Sequence, residues 1–262
     1  MISEQWFSAE KIREWTSAFN SATPFRFVVI DNAIDPVLAE KLSVEFPSLE
    51  KMKVTYKGIN ESKSEHSDFD SLHPSFKSLK EGFSTATLVS TIEKISQIHS
   101  LEAIHDRFGY GLHQGGRNSF LDIHVDYNLH PTHKKQRRLN LILFLNKEWQ
   151  ESWGGALEFW NKDVSQCMHS IPPLFNRCVI FECNEISYHG YSKIMCPESQ
   201  SRKSFYHYYF SEPAKKLIFH DTIFKNKPEE KFSKKIVVTA KETAKNMVKR
   251  VLYHLGLNKL LE

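Results

Sequence analysis

The sequence predicts a mainly β fold with flanking helices. Three observations lead there. Closely spaced runs rich in β-branched and aromatic residues follow Tyr110: "SFLDIHVDY", "RLNLILFLN", "ALEFWN", "RCVIFEC", "ISYHGY" and "RKSFYHYYFS". Turn-like clusters separate them, including "WGG" at 153–155 and "CNE" at 183–185. Helical periodicity lies before and after these runs, not between them. Many short strands without crossover helices point to a sandwich or barrel rather than a βαβ sheet.

The elements follow in order. "SEQWFSAEKIREWTSAF" reads as an amphipathic helix with Ser3 as N-cap and Trp6, Ile12 and Trp15 among its apolar positions. "FRFVVI", Phe25 to Ile30, reads as a strand. "DNAIDPVLAEKLSVEF" turns into a helix with Asp35 as N-cap and Pro36 in the first helical position. Residues 57–75 are polar and read as a long loop. Residues 76–107 look mainly helical, with a break near Gly82. The strand-rich part follows, and a last helix occupies about 239–262. The spacing divides the chain into an N-terminal helical flank with the first strand (1–106), a catalytic-looking core (107–211) and a basic C-terminal appendage (212–262).

Composition bounds the class. Hydrophobic residues make up 40% and aromatics 13% of 262 residues, enough for a sizeable core. Cys167, Cys178, Cys183 and Cys196 form no CxxC pair, which fits a reduced, cytoplasmic protein better than a disulfide scaffold. The N-terminus has no apolar signal region, and no run of about 18 apolar residues suggests a membrane span. No nucleic-acid signature stands out. Residues 213–262 hold 12 Lys/Arg against 5 Asp/Glu, a net of +7; since the whole chain carries +4, the rest is net −3.

"FLDIHVDYN" poses the chemical question. Side chains two apart on a strand share a face, so His124 and Asp126 project together. An imidazole and a carboxylate side by side make two ligands of a metal site. The best third ligand is His189 in "EISYHGY", followed by Gly190, where a backbone can approach closely. Two His plus one carboxylate, with open positions, is the arrangement of non-haem Fe(II) oxygenases. His113, His130 and His133 are rivals by residue type. In "SRKSFYHYYFS", alternation puts Arg202, Ser204, Tyr206 and Tyr208 on one face and Lys203, Phe205, His207 and Tyr209 on the other. Arg202 beside Ser204 can grip a carboxylate with a fork and a hydroxyl.

These motifs, in this order and spacing, resemble the iron- and 2-oxoglutarate-dependent oxygenases of the prolyl 4-hydroxylase-like branch over about residues 107–211. The resemblance rests on "FLDIHVDYN", "RRLNLILFLNKEW", "WGGALEFW", "PPLFNRCVIF", "YHGY" and "SRKS". It implies a double-stranded β-helix, a cupin-like jelly roll. It implies Fe(II) on His124, Asp126 and His189, with 2-oxoglutarate and O2 as cosubstrates and ascorbate as reductant. It implies that Arg202, with Ser204, binds the distal carboxylate of 2-oxoglutarate. Hydroxylases of this branch often place a Tyr where this chain has Phe144, so that hydroxyl is missing; Asn140, on the same strand face, is the substitute polar contact. The implied reaction is hydroxylation of an unactivated C–H, with a peptidyl proline, an amino acid, a glycan or a lipid-linked sugar as substrate. A zinc-dependent hydrolase on a jelly-roll scaffold and a non-catalytic binding module of the same fold are the alternatives.

Two further expectations concern charge and apolar surface. The loop 128–138, with Lys134, Lys135, Arg137 and Arg138, reads as a solvated loop or as an attractor of acidic substrates. Phe144, Trp160, Phe181 and Tyr206 are candidate pocket walls, with core packing as the plainer role. In the last helix, Ala240, Ala244, Met247, Val251 and Leu255 form an apolar stripe, with Thr239 as N-cap and Gly256 as terminator. The stripe is expected to dock on the catalytic domain or on a second copy of the chain, as a homodimer; an anionic surface is the other candidate partner.

Overall fold

The computed structural model describes residues 2–257. Its strands are β1 (Phe27–Asp31), β2 (Val54–Lys57), β3 (Glu61–His66), β4 (Glu102–Ala103), β5 (Tyr110–Gly115), β6 (Phe120–Val125), β7 (Gln136–Phe144), β8 (Leu157–Trp160), β9 (Cys167–Ile171), β10 (Arg177–Glu182), β11 (His189–Tyr191), β12 (Arg202–Ser211) and β13 (Ile223–Phe224). The helices are α1 (Ala9–Ser21), α2 (Pro36–Val44), α3 (Pro74–Ser84), α4 (Ala86–Ser96) and α5 (Phe232–His254). The strands pair antiparallel in the order β1-β10-β7-β12-β5-β3-β6-β11-β8-β9, with β13 on β6, β2 on β3 and β4 on β12. The sheet curls, so that a wide wing (β1-β10-β7-β12-β5) and a narrow wing (β6-β11-β8-β9) face each other across a cavity. This is the jelly-roll architecture expected of a double-stranded β-helix.

The helices α1 to α4 cover the outer face of the wide wing. Trp6, Phe19, Phe76, Phe83 and Ile92 pack there on Leu139, Leu141, Leu143, Phe205 and Tyr209, all but fully buried. That burial is what turns alternate residues of β7 and β12 toward the cavity. A second cluster, with Phe144, Phe159, Val179 and Phe181, closes one end between the wings.

Several local expectations change. Ser8, not Ser3, caps α1, its hydroxyl accepting from the Lys11 N–H. Residues before it form a short 3-10 turn, because the buried Trp6 indole donates to the Ala33 carbonyl at 2.7 Å and pins the chain there. Asp35 and Pro36 open α2 as the sequence suggests. The polar stretch 57–75 is no long loop. It carries β3, paired with β2, then a short turn and the start of α3. Its polarity misleads because Glu61, Lys63 and Glu65 of β3 face a polar cavity rather than an apolar core. The helical break falls at Thr85, which caps α4, and not at Gly82.

The last helix starts at Phe232, so Thr239 lies inside it. Gly256, at φ 70°, follows its end as expected. The apolar stripe does not dock on the catalytic domain. Met247, Val251 and Leu255 are 68%, 53% and 66% exposed. The face that packs inward is Val238, Glu242, Asn246 and Tyr253. Glu242 decides this orientation: it accepts from the Phe224 N–H and from the Asn60 amide, bonds that the apolar stripe cannot offer. Residues 258–262, the end of the expected helix, lie outside the described residues.

Candidate metal centre

His124 is the penultimate residue of β6 and His189 opens β11, and the register sets the two directly opposite each other. Their rings lie 4.3 Å apart between centroids. Each imidazole has Nδ1 2.9 Å from the carbonyl two residues earlier, Asp122 for His124 and Ser187 for His189. A carbonyl only accepts, so Nδ1 carries the proton in each ring and Nε2 presents its lone pair. Gly190 is required beside His189: a Cβ there would sit 2.5 Å from the Leu121 carbonyl oxygen.

Asp126 completes the cluster. Its Oδ1 lies 3.6 Å from His124 Nε2 and its Oδ2 3.9 Å from His189 Nε2. One ligand atom from each of the three lies within 4.8 Å of the others. Two unprotonated imidazole nitrogens and one carboxylate, converging and largely buried, fit a divalent metal ion. Burial opposes ionisation of Asp126, but the Arg137 guanidinium and the two imidazoles outweigh it and hold the carboxyl well below the usual carboxylate range. Burial also pushes His189 down to about 3, with His124 adding to the effect, so its ring is neutral and available as a ligand. Asp122, the second carboxylate of the motif, does not line the cavity and pairs instead with Lys234 at 2.7 Å.

The cavity beside this cluster has a volume of about 490 Å³. Arg202, Ser204, Tyr206 and Tyr208 line it from β12, and Asn140 and Ile142 from β7. Lys203 lies on the opposite strand face, with its ammonium near the Ser43 carbonyl. Arg202 is 5% exposed, its Nε donates to the Gly155 carbonyl at 2.7 Å, and its guanidinium lies over the Tyr191 and Phe144 rings. Among the described residues no carboxylate pairs with it. Burial accordingly pushes it down to about 10. A buried guanidinium with no anionic partner is a site for an anion. Asn140 turns its amide nitrogen to Asp126 Oδ2 at 3.1 Å, and its Oδ1 has no protein partner. Of the four candidate wall aromatics only Tyr206 lines the cavity; Phe144 and Phe181 are fully buried packing residues, and Trp160 packs with Val164 and Tyr188.

Sequence reasoning missed Arg137 as part of this site. It is 2% exposed, not solvated, with Nη1 2.8 Å from Asp126 Oδ2. The rings of Tyr127 and Tyr208 hold its guanidinium on both faces, at 3.5 and 3.8 Å. Strict alternation from Asn140 would send Arg138 inward. A bulge opposite Tyr209/Phe210 shifts the phase, pairs Arg137 with Phe210 and turns Arg137 in instead. Glu65 was also missed, and His113, a rival ligand by residue type, lines the cavity outside the cluster. Glu65 accepts from the Tyr206 hydroxyl at 2.6 Å, and His113 stacks on Tyr206 at 4.3 Å.

Of the rival histidines, His130 forms a second cluster with Asp106 and His133. Its Nδ1 accepts from the backbone N–H groups of Thr132 and His133, so its proton sits on Nε2 and is donated to Asp106. That ring has no lone pair left for a metal and pins the turn instead.

Curled antiparallel wings with two His and one carboxylate at their mouth have the donor set used by non-haem iron oxygenases. Residues 110–210 match the model of the 2OG-Fe(II) oxygenase superfamily. The chain is also similar to prolyl 3-hydroxylase OGFOD1 of Mus musculus, 30% identical over 74 residues, which is 27% of this chain and 14% of that protein's length. Its fold is similar to a Pseudomonas putida prolyl-4-hydroxylase, with a TM-score of 0.56 at 14% identity over 76% of this chain and 99% of the other. A prolyl hydroxylase from Trichoplax adhaerens, in complex with a hypoxia inducible factor oxygen degradation domain peptide fragment, gives 0.54 at 15% identity over 80% and 96%.

Proposed function

We propose that this protein is an Fe(II)- and 2-oxoglutarate-dependent dioxygenase that hydroxylates a prolyl residue of a peptide. One observation carries the reading: a converging His124–Asp126–His189 cluster shares a cavity with an unpaired buried guanidinium, Arg202. In this reading His124, Asp126 and His189 hold the iron. Arg202 receives the distal carboxylate of 2-oxoglutarate, with Ser204 beside it and the free Oδ1 of Asn140 as a further polar contact. Bound Fe(II), with 2-oxoglutarate and O2, supplies the oxidising power to place a hydroxyl on an unactivated C–H, with succinate and CO2 released.

The chain's own part is positioning. The Nδ1–carbonyl bonds orient both imidazoles, Arg137 and Asn140 orient the carboxylate, and the enclosed cavity limits water. Tyr127, Tyr206 and Tyr208 offer the substrate an aromatic wall. The prolyl assignment is supported by the names of the similar proteins. Ascorbate as reductant rests on the resemblance to prolyl 4-hydroxylases. The four free cysteines support a reducing compartment such as the cytoplasm. A hydrolase would need a free general base near the metal, yet the described glutamates of the cavity are already engaged: Glu61 with Lys63, Glu65 with Tyr206 and Glu242 with Lys245.

The test is anaerobic addition of Fe(II) and 2-oxoglutarate. A weak visible charge-transfer band should appear with the wild type and vanish in His189→Ala. Its absence from the wild type would sink the reading.

A further inference from the structure

We propose that α5 is a docking surface for an anionic lipid membrane. The helix has two unlike sides. Its inward side carries Glu242 and Lys245, which line the cavity. Its outward side is bare: Phe232 is 76% exposed, Met247 68% and Leu255 66%, with Ile236 and Val251 also exposed on the same line. These residues recur at spacings of three or four through Ala240 and Ala244, so they form one stripe along a 23-residue helix. A helix of that length runs about 35 Å, at 1.5 Å per residue.

Charge selects the occupant. The only carboxylate within α5 is Glu242, and it is buried on the other side. By helical spacing, exposed Lys241 borders the stripe along Val237 and Val248, and exposed Arg250 borders it along Met247 and Thr243. The segment that leads into Phe219 adds exposed Lys215, Lys216 and Ile218 beside the end of α5, where Phe219 stacks on Tyr253 at 4.3 Å. Within α5 the stripe is rimmed only by cations, with the exposed Glu229 just before the helix, and this fits the boundary between acyl chains and anionic headgroups. It fits a second copy of itself poorly, because a two-fold pairing of stripes would bring cationic rims together with no exposed carboxylate of α5 to offset them. No described helix is long and apolar enough to cross a membrane, so the helix would lie in the interface plane.

The experiment is co-sedimentation of the full chain with phosphatidylcholine vesicles, with and without phosphatidylserine, at low and high salt, alongside light scattering for mass in solution. The wild type should be monomeric and pellet only with phosphatidylserine vesicles, with binding lost at high salt. Met247→Glu/Val251→Glu and Lys215→Glu/Lys216→Glu should each weaken that binding by at least about tenfold. All four side chains are exposed, so melting temperatures should stay at the wild-type value and separate lost docking from lost folding. Absence of vesicle binding by the folded wild type overturns the proposal, as does wild-type binding by either variant. A wild-type dimer that Met247→Glu/Val251→Glu converts to monomer overturns it in favour of a second copy.

Discussion

Arg137 grips Asp126: Nη1 lies 2.8 Å from Oδ2, inside a two-ring clamp of Tyr127 and Tyr208. The cation keeps the carboxylate ionised, and the clamp keeps the cation in place. Arg137→Lys retains charge but loses the planar fork and most of the ring contact. We expect it to weaken Fe(II) binding by roughly tenfold to a hundredfold, the usual cost of losing a partner that orients a ligand. Anaerobic metal titration measures this; an unchanged affinity would remove Arg137 from the site.

Arg202 and Lys203 are adjacent cations on opposite strand faces. Arg202→Ala should raise the KM for 2-oxoglutarate by about 30- to 1,000-fold, equivalent to roughly 2 to 4 kcal/mol for a charge-assisted pair in a buried site. Lys203→Ala should change it little. Succinate formation at varied 2-oxoglutarate gives both numbers, and the opposite ranking would move the carboxylate site to the outer face.

Glu242 ties α5 to the strands by accepting from the Phe224 N–H and the Asn60 amide, with Lys245 of the same helix pairing its charge. Glu242→Ala leaves Lys245 without its nearest carboxylate and the Phe224 N–H without an acceptor. The expected loss is about 3 kcal/mol in local stability. Hydrogen exchange should show α5 amides opening while β7 and β12 stay protected. Uniform protection across α5 in the variant would mean that Val238 and Tyr253 suffice to hold it.

His207 lies fully buried on the helix-covered face, where burial pushes it down to about 3, with His105 adding to the effect. The unfolded chain takes up a proton near its ordinary value of 6.5, and the folded state refuses it. Stability contributed by the neutral ring is therefore complete above pH 6.5 and declines as pH falls from there toward about 3. His207→Phe removes this titration. Its melting temperature should fall less steeply with acid than that of the wild type below pH 6.5; parallel curves would assign the acid sensitivity elsewhere.

Alternation was a reliable guide wherever burial lies on one side of a strand. It put Arg202 with Ser204, because a strand with one face on a helical core has no freedom of phase, and His124 with Asp126, because Ile123 and Val125 beside and between them are buried on the other face. The strand-rich class, the Asp35–Pro36 helix start and the close approach at Gly190 were legible for the same local reason. Three features were not. The hairpin of β2 and β3 looked like loop, since its inward residues are charged. The C-terminal stripe looked like a docking face, since apolar periodicity says which residues align but not which side is covered. Arg137 looked solvated, since no local signal announces the bulge that reverses its phase.

The sequence by itself determined the kind of elements, the donor residues and the facing of each regular strand, all set by backbone periodicity and local sterics. The tertiary structure decided which faces meet. It set His189 opposite His124, turned Arg137 onto Asp126 and left the α5 stripe outside, because pairing, bulges and buried polar bonds depend on partners far away along the chain.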